Sequence, residues 1–271
     1  MKTRSVLAAL ALGLAITAGA ASPSHAHRAW LLPSATILSG EDPWITADAA
    51  ISNDLFYFEH HALPLDGLFV IAPDGSKGEA ENQSKGRYRS TFDVHLTQQG
   101  TYRIGVESDF LTGRYKLNGE TKRWRGTEER LKEIPAEATD VRITHAQRRL
   151  EFFATAGNPT ETALKPTGKG LELAPVTHPN DLFAGEAASF VLLLDGKPAA
   201  DLEVSVIPGG IRYRDQLNEV KVKTDGEGQF SVKWPEPGMY WISASAEAEP
   251  TTADGRARRA SYAATLEVMA P

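Results

Sequence analysis

The chain of 271 residues contains no cysteine. That absence excludes disulfides, thiolate metal sites and thiol nucleophiles, and no cysteine-borne lipid anchor is expected. Any transition-metal site must use imidazole, amine, carboxylate or thioether donors, and methionine is scarce, at 3 residues. Catalytic signatures are missing as well. There is no Gly-x-Ser-x-Gly elbow, no His-Glu-x-x-His pair and no glycine loop to cradle phosphate. Asp74-Gly75 and Asp225-Gly226 lack the ligand spacing of a calcium loop and read as turns. An excess of positive charge is also missing. The net charge of −6 argues against a nucleic-acid partner.

The first residues read as an export signal. Met1-Lys2-Thr3-Arg4 precedes an apolar run from Val6 to Ala18, and small residues follow to Ser24-His25-Ala26. This is the layout of a signal peptide, residues 1–26, with cleavage after Ala26. Ala18-Gly19-Ala20 is a second small-x-small site. The run is too short and too rich in alanine and glycine for a membrane span, so a soluble periplasmic product without an integral membrane segment is expected.

Cleavage after Ala26 makes His27 the N-terminus. Its α-amine and ring Nδ1 can then bind one metal ion as a chelate, an expectation that follows from the two donors standing on one residue. Five further histidines remain after processing: His60, His61, His95, His145 and His178. Glu59-His60-His61 follows an aromatic run and is the second candidate for a shared site. On an extended backbone, one of His60 and His61 would face His27, with Glu59 on the other side; in a loop both could turn inward. His95 alternates with Phe92, Val94 and Leu96 and is a weaker candidate on the polar face. His145 reads the same way, and His178 beside Pro179-Asn180 reads as part of a turn. Imidazole and amine donors suit nickel, cobalt or copper.

Nearly every segment after His27 reads as strand and turn. Trp44–Ala47, Leu55–Phe58 and Leu68–Ile71 are short aromatic or branched runs. Tyr88–Leu96 and Thr101–Val106 flank Gln98-Gln99-Gly100, which suggests a hairpin. Asn118-Gly119 marks a second hairpin. One helix-like piece spans Thr127 to Glu133. Val141–Ala154 is a long strand. Alternation then recurs at Leu202/Val204/Val206, Val220/Val222, Phe230/Val232/Trp234, Tyr240/Ile242/Ala244 and Tyr262/Ala264/Leu266/Val268. The expected fold is all-β, with two immunoglobulin-like β-sandwich domains in tandem and at most short helices. The boundaries are 27–157 for the first domain, 158–170 for a linker and 171–271 for the second.

Ala26-His27-Arg28-Ala29-Trp30-Leu31-Leu32-Pro33 resembles the opening of a bacterial periplasmic family of unknown function. That family is often described as the periplasmic component of an ABC-type cobalt/nickel uptake system. Gly170–Pro175 with Pro179 and Gly185, and Asp195–Pro198 with Thr224–Gly228, are similar to it too. The resemblance implies β-sandwiches, a role near metal uptake beside ABC-type or TonB-linked transporters, and His27 as a ligand. The expected function is therefore a non-catalytic metal-binding accessory protein. The alternative is an interaction protein of the cell envelope without a metal. An enzyme with a copper histidine brace needs the same N-terminus and a flat aromatic face, for which the sequence offers no cue.

Overall fold

The computed structural model describes residues 27–251 and 255–271; the leader and its cleavage sites lie outside the described residues. The fold is all-β, with three short 3-10 helices among the described residues, at Glu128–Glu133, Thr162–Leu164 and Ile211–Tyr213.

Three sheets form layers. The first contains Arg28–Pro33, Trp44–Ser52, Ser90–His95, Glu81–Lys85 and the short His61–Ala62. The middle sheet has ten strands, and the third is four-stranded, around Ala187–Leu194. Alternation assigns each face of the middle sheet to a different core. On the strand Thr139–Ala156, Leu150, Phe152 and Ala154 join Trp30, Ile45, Phe92 and Val94 of the first sheet. Phe153, one residue out of phase, joins Leu173, Phe190 and Trp234. The two sandwiches predicted from alternation are present, but they share one sheet.

The join is a parallel pair. Thr139–Ala156 lies antiparallel to Gly100–Leu117 on one side and parallel to Arg258–Val268 on the other. Parallel partners need a long crossover, and here the whole second sandwich is the crossover. The stretch 158–170, expected as a linker, is packed: Ala163 and Leu164 are buried, and the Lys165 carbonyl accepts from Arg103.

Two tyrosines show the immunoglobulin-like corner. Tyr102 donates to the Gln98 carbonyl at 3.2 Å, and Tyr240 donates to the Glu236 carbonyl at 2.8 Å. Each hydroxyl thus closes back four residues onto the chain entering its strand. The shared pattern Gly-x-Tyr, at Gly100-Thr101-Tyr102 and Gly238-Met239-Tyr240, marks the equivalence of the two units.

Two local expectations are corrected. Leu55–Phe58 is not a strand: Leu55 and Phe56 form a turn, with Phe56 at φ 61°, and Tyr57 and Phe58 are irregular. Its apolar residues cap the core instead: Leu55 is buried, and Phe56 and Phe58 pack on Trp30 with ring centroids 5.5 Å away. Ser90–His95 and Gly100–Leu117 do not pair as a hairpin. They lie in different sheets, and Phe92, Val94, Tyr102 and Ile104 meet face to face across the core. The Asn118-Gly119 hairpin forms as expected, with φ of 52° and 83°.

A buried ion cluster sits where the sandwiches meet. Arg103 Nε donates to Glu151 at 2.8 Å and Nη2 to Glu172 at 3.3 Å, with the three side chains at most 2% exposed. Tyr262 donates to the other Glu151 oxygen at 2.6 Å. Glu172 also accepts from the amides of Thr167, Gly168 and Lys169. Burial alone would raise the Glu172 carboxyl. Hydrogen bonds from Thr167 and the charges of Arg149 and Arg103 outweigh it and hold it below its ordinary value. Removing Arg103 strands buried carboxylates, so Arg103→Met is expected to cost about 3–5 kcal/mol. By thermal unfolding at neutral pH that is a fall of roughly 6–20 °C. Stability from a depressed carboxyl is lost as pH falls through its folded value, so the gap from wild type narrows in acid. An unchanged melting temperature would contradict this.

Candidate metal centre

The site is built on the end of the strand Trp44–Ser52. The first strand pairs along one edge, Arg28 opposite Ser52, so His27 projects just beyond it. The short strand His61–Ala62 pairs along the other edge, His61 opposite Ile51. Between them the loop 53–60 leaves the sheet and returns.

Specific bonds hold that loop. The Trp30 indole N–H donates to the Ser52 hydroxyl at 2.7 Å, and Ser52 donates to the Asp54 carbonyl at 2.5 Å. Arg28 donates to the Asn53 carbonyl at 2.8 Å. Glu59 Oε1 accepts the amides of Asn53 and Asp54 at 2.8 and 3.0 Å. Glu59, predicted as a ligand, has this oxygen committed to closing the loop.

The outcome is a triad of imidazoles. The His27 and His60 ring centroids are 3.7 Å apart, His60 and His61 4.7 Å, and His27 and His61 6.5 Å. All three are exposed, and among the described residues no hydrogen bond or ion pair ties any of them. Burial first, then the nearby charges of His60 and His27, lower the His61 pKa. A neutral imidazole is the ligand form, so these causes keep His61 competent to a lower pH. Among the described residues no group of three or more His, Cys, Asp or Glu is already set in metal-holding geometry. The donor set suits a borderline metal.

The other histidines are elsewhere. His95 pairs opposite Trp44, at the far end of the strand whose Ile51 faces His61. Seven residues of strand separate those positions, about 23 Å. His95 Nε2 bonds Asp42 at 2.6 Å and its ring stacks on Trp44 at 4.2 Å. It does not belong with the triad. His145 Nε2 bonds Asp109. His178 is a turn residue as expected, its Nδ1 accepting the Asn180 amide at 3.2 Å. Burial lowers its pKa.

Sequence reading missed the cleft beside His27. It measures about 290 Å³ and runs under Arg28 and Ala29 to Arg148, Ser205, Glu219 and Ser261. Its residues come from strands distant in sequence, so no local pattern announces it.

The sequence matches the family described as "Domain of unknown function (DUF4198)" over residues 24–248. No curated protein matches it. Among solved structures the chain is similar to the D0-D1 domain of intimin, at 13% identity, covering 88% of this chain and 97% of that one, with a TM-score of 0.21. It is similar to an Escherichia coli alpha-2-macroglobulin activated by porcine elastase, at 14% identity, 90% of this chain, 20% of that one and a TM-score of 0.22. The two tandem V-type regions of VCBP3, a v-region-containing chitin binding protein, give 9% identity, 87% and 98% coverage and a TM-score of 0.22. Scores this low say nothing of function, and the fold assignment rests on the strand pairing and cores above. No helix among the described residues is long and apolar enough to cross a membrane.

The triad makes a titration prediction. In an NMR pH titration, His61 has its midpoint below the ordinary histidine value of 6.5. His60→Gln removes one of the repelling charges, so the His61 midpoint moves upward. A midpoint indifferent to His60 would mean that the rings are not neighbours in solution.

Proposed function

Because the chain belongs to the DUF4198 family, a family of unknown function, its role rests on its own residues, and we propose that it is a periplasmic metal-binding accessory protein. It captures a divalent nickel, cobalt or copper ion at the processed His27 and passes it to an ABC-type or TonB-linked uptake system. The role is one of binding, without catalysis. The observation that carries this reading is the meeting of His27 with the adjacent pair His60 and His61, which follow it only after a long stretch of chain, with no hydrogen bond among the described residues consuming their ring nitrogens.

The chemistry follows from the donors. After cleavage, His27 supplies an amine and an imidazole in one chelate. His60 or His61 supplies a third nitrogen from the opposite side, in the T-shaped or square-planar arrangement that Cu(II) and Ni(II) accept. The exposed position suits a carrier, because the ion must leave again.

A competing reading is an interaction module of the cell envelope without a metal. It is favoured by the lack of a preformed three-ligand group among the described residues. Calorimetric titration separates the two. Exported protein, its start confirmed as His27 by intact mass, is titrated with Cu(II), Ni(II) and Co(II). The same is done with a form carrying one alanine before His27, and with His60→Gln/His61→Gln. One equivalent is expected, weakened more than about tenfold by either change, since even outer-shell partners are worth that much. Binding should weaken in acid, because protons compete with the metal for the imidazole nitrogens. Loose binding, indifferent to both changes, overturns the proposal and favours the interaction module.

A further inference from the structure

A second site lies on the three-stranded arm formed by Gly100–Leu117, Glu120–Gly126 and Thr139–Ala156. Cross-strand register puts Arg123 opposite Arg114, and Arg114 opposite Arg142. The three arginines therefore stand side by side on one face. The same face continues to Lys116 in one direction and to Arg125 in the other. Arg125 lies 3.5 Å over the Phe110 ring. The stripe ends at Arg148, opposite Ser108, about 27 Å from Lys116 at 3.4 Å per residue. Glu120, Asp109 and Glu107 occupy the opposite face, by the same alternation.

Like charges directly opposite on neighbouring strands destabilise a sheet. Arg114, Arg123 and Arg142 are all exposed, and among the described residues none has a hydrogen bond or ion pair. The acid lining this region, Asp140, pairs with Lys116 at 2.7 Å; its carboxyl is held below its ordinary value first by that bond and then, more weakly, by the charges of Arg142 and Arg114. A depression of about 300 Å³ opens here, lined by Arg114, Arg142, Lys116, Tyr115, Thr121 and Asp140. Arg114, Arg123 and Arg142 thus lie together without an ion pair of their own among the described residues, in a chain of net charge −6.

We propose that this depression binds a phosphoryl group, held by the guanidiniums of Arg114 and Arg142 with Arg123 beside them. Guanidinium forks match tetrahedral anions through paired N–H donors, and three in a row present more donors than one phosphate needs. The phosphoryl group belongs either to a free phosphate or to the headgroup of an anionic lipid. The site is independent of the metal reading, since it shares no residue with the histidine triad.

The test uses the full processed chain. Its binding to inorganic phosphate and pyrophosphate is read by NMR shifts of the arm. Its binding to phosphatidylglycerol vesicles, against neutral phosphatidylcholine vesicles, is read by co-sedimentation. The triple variant Arg114→Gln/Arg123→Gln/Arg142→Gln is compared with Lys77→Gln/Lys85→Gln/Lys233→Gln, which removes the same charge elsewhere. Wild type and the lysine variant should bind, and the arginine variant should bind at least tenfold more weakly. Removing like-charge repulsion should leave its melting temperature unchanged or raised, which rules out misfolding as the cause. Binding of the soluble anions without the vesicles assigns the site to free phosphate, and binding of the vesicles assigns it to a headgroup. No binding of either probe, or equal losses in the two variants, overturns the proposal.

Discussion

The register of the strand Thr139–Ala156 is the constraint on which the rest of the structure depends. Its neighbours are Gly100–Leu117 on one side and Arg258–Val268 on the other, and its two faces feed different cores. Glu151 meets Arg103 from one neighbour and Tyr262 from the other, inside the protein. A slip of one residue would turn Glu151 into the first core, where Phe152 now packs, and would leave Arg103 buried without its carboxylate. Both errors cost far more than a surface contact, so the buried ions enforce one alignment. That alignment lets two sandwiches share a sheet, instead of hanging from a tether.

The shared sheet in turn holds the start of the described chain. The first strand crosses the middle sheet's face, where the Trp241 indole donates to the Ala29 carbonyl at 3.1 Å. The Thr265 hydroxyl donates to the Leu31 carbonyl, and Thr36 is held by Glu267. These partners lie more than 200 residues away in sequence. His27 is therefore the residue just before an anchored strand, and its reach is limited to what surrounds the end of Trp44–Ser52. The loop bearing His60 and His61 is pinned to the same place by Trp30, Ser52 and Glu59. The histidines meet because both segments are fastened to one strand end.

Sequence reasoning found what alternation and residue chemistry carry. The strands of the second sandwich, the Asn-Gly turn and the candidates His27, His60 and His61 all come from local signals. It failed where the deciding partner is remote. Leu55–Phe58 has the composition of a strand because it covers Trp30, and composition does not separate a plug from a pleat. Gln98-Gln99-Gly100 resembles a hairpin turn, yet the chain there passes from one sheet to another, under the Tyr102 corner. The arginine row was invisible for the same reason. Arg114, Arg123 and Arg142 are scattered singly along the chain, and only cross-strand register aligns them. Glu59 has the chemistry of a ligand, and the hydrogen bonds that engage its Oε1 in closing the loop were not legible in the sequence.

Chemically, the histidine triad stands apart from the other described histidines. His95 and His145 each spend a ring nitrogen on an aspartate, and His178 spends its own on the turn it stabilises. The rings of His27, His60 and His61 lie close together, and among the described residues none of the three has a hydrogen bond. The most direct measurement of the central claim is an anomalous difference map from crystals of the His27-start protein soaked in Ni(II) or Cu(II). The account predicts one strong peak, about 2.0–2.1 Å from a nitrogen of His27 and from a ring nitrogen of His60 or His61. A map without that peak, or with the metal at His95 and Asp42 instead, would contradict it.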